Sequence, residues 1–157
     1  MTIRIVLTAA AVALAATAAM AQVPGTPNTV LIVPAKDIAA HLAVPPAKPG
    51  AAVSFPITTT GSYRTMIAHR TADGVPEQHA HWIDVMMVLQ GEVTLTYGGT
   101  LSGNTVDADG ESHGGKIAGG TSVVLHTGDY FQVPAGLPHL MTRPKGGFRY
   151  SVTKVHA

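Results

Sequence analysis

From residue 52 onward the chain is a succession of short apolar-rich runs broken by clusters of Gly, Pro, Thr and Asp, the layout of strands joined by turns. Strands are predicted at 52–57, 63–71, 78–82, 85–89, 92–97, 121–126, 130–133, 137–142 and 148–155. Gln90-Gly91 is read as a tight hairpin turn between the fourth and fifth of these. Residues 98–120 hold eight Gly in 23 positions and read as a long loop or extended hairpin tip. The run Val85-Met86-Met87-Val88-Leu89 is apolar at every position, which predicts burial on both faces. The covering layer is then a second sheet, an N-terminal helix or a partner subunit of a homodimer. Before the strands, residues 37–42 predict a short helix with Asp37 as its cap and Ile38 and Leu42 on one face. Pro45-Pro46 ends it, because the residue before a proline is driven out of the helical region.

Composition narrows the class. With 17 Gly and 11 Pro in 157 residues the chain is no helix bundle. With 12% charged residues it is neither a solvated helical array nor an acidic tail. Ten Lys and Arg nearly balance nine Asp and Glu without a basic cluster, which argues against nucleic acid or an anionic membrane surface as partner.

The first residues differ from the rest. Arg4 is followed by an almost wholly apolar run and then by Ala19-Met20-Ala21, the small-residue pattern of a cleavage site. Residues 1–21 are therefore expected to be a secretory signal, with the mature chain starting at Gln22 and working in the periplasm or outside the cell. Residues 22–51 form an N-terminal extension with the short helix, and residues 52–157 the β domain. Removing Arg4 leaves nine basic and nine acidic residues, and no membrane partner is expected after cleavage. With no Cys there is no disulfide and no thiolate ligand, so any metal must be held by nitrogen and oxygen.

Eight His in a chain so poor in charge are the anomaly. His79-Ala80-His81 lies on a predicted strand, where side chains two apart share a face and two imidazoles can converge. Asp84 follows close by. Far along the chain, His139 stands on another predicted strand behind Pro134, Gly136 and Pro138. Three imidazoles and a carboxylate suit one divalent transition ion such as Mn, Fe, Ni, Cu or Zn.

These two stretches resemble the two motifs of the cupin superfamily. The first motif reads Gly, five residues, His-x-His, three or four residues, Glu, six residues, Gly. His79 and His81 match it, Gly74 stands one residue out of frame at its start, Gly91 closes it, and counting back from Gly91 puts Asp84 at the Glu position. The second reads Gly, five residues, Pro-x-Gly, two residues, His, three residues, Asn. Gly128, Pro134, Gly136 and His139 match it, with Arg143 where Asn is expected. The resemblance spans residues 63–155. It implies an all-β, double-stranded β-helix (jelly-roll) barrel with the metal in its mouth, held by His79, His81, His139 and Asp84. Asp84 departs from the pattern twice, being one methylene shorter than Glu and separated from His81 by only two residues, one fewer than usual.

Around this set, Arg143 is a candidate anchor for a substrate carboxylate, although Pro144 suggests that the strand ends there. Met86 and Met141 are expected to line an apolar pocket. His69 and His126 are candidates to line the pocket or support the ligands, while His41, His113 and His156 are read as surface residues. Arg64 and Arg70, sharing one parity on a strand, are also placed on the surface. The expectation is a secreted metal-dependent enzyme (an oxygenase or other oxidoreductase, a lyase or an isomerase) acting on a small oxygenated molecule. A non-catalytic module that binds a small ligand or the metal is the alternative. Loop 98–120 is a candidate lid.

Overall fold

A computed structural model describes residues 30–47, 52–143 and 146–157. The expected signal at 1–21, residues 22–29 and 48–51 of the N-terminal extension, and residues 144–145 lie outside the described residues. Among the described residues, helix α1 (Ala35–Ala43) precedes thirteen strands. They are β1 (Ala52–Thr59), β2 (Tyr63–Arg70), β3 (Glu77–Gln78), β4 (Trp82–Gln90), β5 (Glu92–Tyr97), β6 (Thr100–Ser102), β7 (Thr105–Val106), β8 (Ser112–His113), β9 (Lys116–Ala118), β10 (Thr121–His126), β11 (Tyr130–Val133), β12 (His139–Thr142) and β13 (Phe148–His156).

The strands form two main antiparallel sheets facing each other, as the jelly-roll expectation requires. One has the order β1-β2-β13-β4-β11, the other β10-β5-β12-β3-β8-β7, and β6 pairs with β9 as a separate ribbon. Alternation sets the core. Met86 and Val88 of β4, Val93 and Leu95 of β5, Met141 of β12, and Phe148, Tyr150 and Val152 of β13 are all buried in one cluster between the sheets. Met86 and Met141 are thus core residues rather than the lining of a pocket.

Two sequence expectations differ from the observed fold. Gln90-Gly91 does not close a hairpin, because β4 and β5 belong to different sheets and the turn is a corner between them. Both strands carry core residues, so folding the chain from one layer to the other buries both sets. Gly91 has φ +89°, and a Cβ there would lie 2.7 Å from the carbonyl oxygen of Gly147, so the corner requires glycine. Of the two readings of residues 98–120, the extended hairpin is the one observed, since β6 pairs with β9 and β7 with β8 within it. Asp37 does not cap α1: Pro34 holds the cap position, its carbonyl accepting from the amides of Asp37 and Ile38, and Asp37 lies in the first turn, where its charge suits the helix dipole. At the other end Val44, ahead of Pro45, is extended as expected.

The helix lies against the outer face of the first sheet. His41 stacks on Phe55 with ring centroids 3.5 Å apart, and Arg149 donates from Nε to the carbonyl of Leu42 at 2.8 Å. This layer covers β1 and β2 and leaves the outer face of β4 open. Met87 is 40% exposed, and its cross-strand neighbour Tyr130 60%. The all-apolar run 85–89 is therefore buried on one face only among the described residues.

Candidate metal centre

Strand register brings the polar residues of the interior together at one end of the core. In the six-stranded sheet His139 lies directly opposite Glu77, and in the five-stranded sheet Lys154 lies opposite both Asp84 and Arg64. His79 sits in the segment that passes from β3 in one sheet to β4 in the other, and so stands between the two sets. One ligand atom each from Glu77, His79 and His139 lies within 4.8 Å of the others, the spacing of donors around a common ion. Asp84 adjoins this group, with Oδ2 3.2 Å from His79 Nε2 and 3.8 Å from His139 Nε2.

His81 is not brought to this cluster. Residues 79–81 lie outside any strand, with a bend at 80–81, so the alternation expected to align His79 with His81 does not operate there. His81 is exposed and faces the ring of His156 at 6.0 Å. The residue that shares a side with His79 is Glu77, two positions before it. The sequence held a signal for this. Taking the four-residue spacer of the motif and counting back from Asp84 puts the x-spaced pair on Glu77 and His79, with Gly91 still in frame. On that alignment Glu stands where the first His is usual, and Asp where Glu is.

Both imidazoles are oriented by bonds on their outer nitrogen. His139 is 2% exposed and its Nδ1 donates to the carbonyl of Leu137 at 3.2 Å. Burial holds its pKa below the ordinary histidine value, against the Leu137 carbonyl and the charges of Asp84 and Glu77. Its Nε2 lone pair is buried without a partner, an unmet acceptor directed at the cluster. His79 is oriented by Glu111, whose carboxylate bonds to Nδ1. Burial works against its charged form, but the hydrogen bond and charge of Asp84, with Glu111, raise its pKa overall, with the charge of Lys154 opposing. Lys154 Nζ lies 2.7 Å from His79 Nε2 and 2.6 Å from Asp84 Oδ1. Where Lys154 donates to Nε2 at 2.7 Å, that nitrogen is unprotonated and Nδ1 carries the proton toward Glu111. Asp84 is 1% exposed; burial alone would raise its pKa, yet His79 and Lys154 hold it below the ordinary carboxylate value.

The donor set fits a divalent ion: two imidazoles with inward Nε2 atoms, one of them orphaned, and two carboxylates. Sequence reasoning missed Glu77, Lys154 and Glu111. Lys154 was legible as the next inward position after Phe148, Tyr150 and Val152. Glu111, inside the Gly-rich stretch, carried no signal.

The remaining expected residues lie elsewhere. Arg143 is exposed at the end of β12, its amide bonded to Asp73 and its guanidinium to the carbonyl of Gly146, so it does not reach the cluster. His69 faces the helix layer and bonds the carbonyl of Val44, while His126 is exposed beside Glu92. Arg64 and Arg70 are not surface residues, because their parity is the inward one of β2. Arg70 donates to the Tyr150 hydroxyl at 3.2 Å and lies 3.8 Å from Glu77, and Arg64 lies over the ring of Trp82 at 4.5 Å.

No protein-family model matches the chain, and no curated protein matches it. Solved structures do. The cupin domain of Schizosaccharomyces pombe Cnp3 superposes with TM-score 0.50 at 15% identity over 68% of this chain and 65% of that one. A recombinant oxalate oxidase in complex with glycolate gives 0.50 at 21% identity over 70% and 53%. The FeII form of HppE gives 0.50 at 16% over 68% and 54%. The chain thus spans roughly half to two thirds of the length of these structures, and at such identities the likeness establishes the fold: this is a cupin jelly roll.

Proposed function

We propose that this cupin-fold chain is a metal-dependent enzyme acting on a small oxygenated organic molecule, exported by its first 21 residues to the periplasm or the outside of the cell. The observation that carries the reading is the orphaned, buried Nε2 of His139, facing Glu77, His79 and Asp84. A divalent ion would be held by His79, His139 and Glu77, with Asp84 as the fourth donor. Once bound, such an ion supplies Lewis-acid or redox chemistry. The chain's own residues do the rest. Glu111 and the Leu137 carbonyl orient the two rings, and Asp84 and Lys154 form a hydrogen-bonded pair against Nε2 of His79. HppE, similar in fold and solved in its FeII form, supports iron among the ions to be tried. A homodimer covering Met87 and Tyr130 belongs to the same proposal and is read by light scattering after gel filtration.

Metal analysis of protein purified from the periplasm, followed by a substrate screen under air and under argon, tests the reading. Stoichiometric metal that is lost in His139→Ala supports it, and oxygen-dependent turnover selects an oxygenase. Metal-free protein that takes up no Mn, Fe, Ni, Cu or Zn overturns it. One observation favours the second reading, a non-catalytic ligand-binding module: Lys154 already satisfies both Asp84 and His79, as a resident cation would.

A further inference from the structure

A cavity of about 280 Å³ opens beside the cluster, lined by Arg64, His81, Trp82, Asp109, Glu111 and His156. Its walls come from β2, β4, β13 and the segment before β8, and it adjoins the metal centre through Glu111, which holds His79. Two of its polar groups lack partners. Arg64 Nε is buried without a hydrogen bond, and among the described residues no ion pair involves its guanidinium, which rests on the Trp82 ring. Glu111 is 8% exposed. One of its oxygens is committed to His79, while the other, Oε1, is buried with no donor. Arg64 and Glu111 both line this cavity, and each carries a buried polar atom that a ligand supplying the complementary group would satisfy.

Resting on the functional reading above, we propose that this cavity binds small hydroxycarboxylic acids. Arg64 takes the carboxylate through its fork of N–H groups, and Glu111 Oε1 accepts the hydroxyl hydrogen. The rings of Trp82, His81 and His156, which line the cavity, bound the carbon skeleton. The carboxylates of Asp109 and Glu111 select against ligands with a second negative charge, since Arg64 is the one arginine or lysine lining the pocket among the described residues. The neighbouring cavity of about 330 Å³, lined by Leu95, Val123, Leu125, Phe131 and Val133 among others, has no charged wall and offers an acid no such anchor.

The test uses full-length mature protein stripped of metal with a chelator, so that chelation by an ion plays no part, and calorimetric titration with lactate, propionate and lactamide. Lactate should bind at least 10-fold more tightly than propionate, which lacks the hydroxyl, and than lactamide, which lacks the carboxylate. Arg64→Met should weaken lactate binding at least 10-fold while its uptake of divalent metal at the His79 and His139 site stays within 2-fold of the parent. Should Arg64→Met fold poorly by circular dichroism, Arg64→Lys keeps the charge but loses the fork, and a loss of at least 3-fold is expected. Equal binding of all three probes, no binding of lactate, or unchanged affinity in the Arg64 variants overturns the proposal. Failure of the protein to hold metal would overturn the metal reading alone, because the lactate titration is run without metal.

Discussion

Lys154→Met isolates what the ammonium does inside the cluster. The side chain is 14% exposed, and its stem lies on the inward face of β13, so methionine preserves the apolar packing and removes only the charge. Two contacts vanish, at 2.6 Å to Asp84 and 2.7 Å to His79, and Asp84 is left as a carboxylate that is 1% exposed. Removing one partner of a buried pair costs about 3–5 kcal/mol, because the remaining charge loses its compensation. With a urea slope of about 2 kcal/mol/M, the unfolding midpoint of metal-free protein should fall by about 1.5–2.5 M. A divalent ion held by Asp84 and His79 restores the missing positive charge. The same stabilisation, about 3–5 kcal/mol, then reappears as tighter metal binding, by about two to three and a half decades. The assay is urea unfolding in chelator and in excess Mn, followed by Mn titration of both proteins. A metal-free loss under about 1 kcal/mol, or equal Mn affinity in the two proteins, would refute the reasoning.

Other outcomes follow from the same geometry. His139→Ala should abolish stoichiometric metal, while His81→Ala should leave metal content unchanged and stability within about 0.5 kcal/mol, both read by metal analysis and thermal melting. Asp84 has a depressed pKa in the fold, so its stabilising charge is fully present above the unfolded carboxylate value near 3.8 and is lost as pH falls through the lower folded value. Asp84→Asn should therefore be less stable than the parent at pH 7, and the gap should close in acid; a constant gap from about pH 7 to about pH 2 in urea midpoints would contradict this. Gly91→Ala forces a Cβ to 2.7 Å from a backbone oxygen at φ +89° and should cost at least about 1–2 kcal/mol in thermal unfolding.

Strand positions were largely legible. The runs at 92–97, 121–126 and 130–133 have the predicted bounds, because turn residues on either side mark where alternation starts and stops. His139 could also be read, since Pro134 and Gly136 define the turn that delivers it. Helix α1 could be placed but not capped, as a proline carbonyl leaves no side-chain signature.

What the amino-acid order determined alone was a β jelly roll with His79, His81, Asp84 and His139 as candidate ligands, of which the fold gathers all but His81. Only the tertiary structure decided the company they keep. Alternation assigns a face to each residue within one strand, but it lapses where the chain leaves one sheet for another, and His79 lies at such a crossing. The pairings of Glu77 with His139 and of Lys154 with Asp84 are set by cross-strand register between segments 62 and 70 residues apart, and no local pattern carries that information.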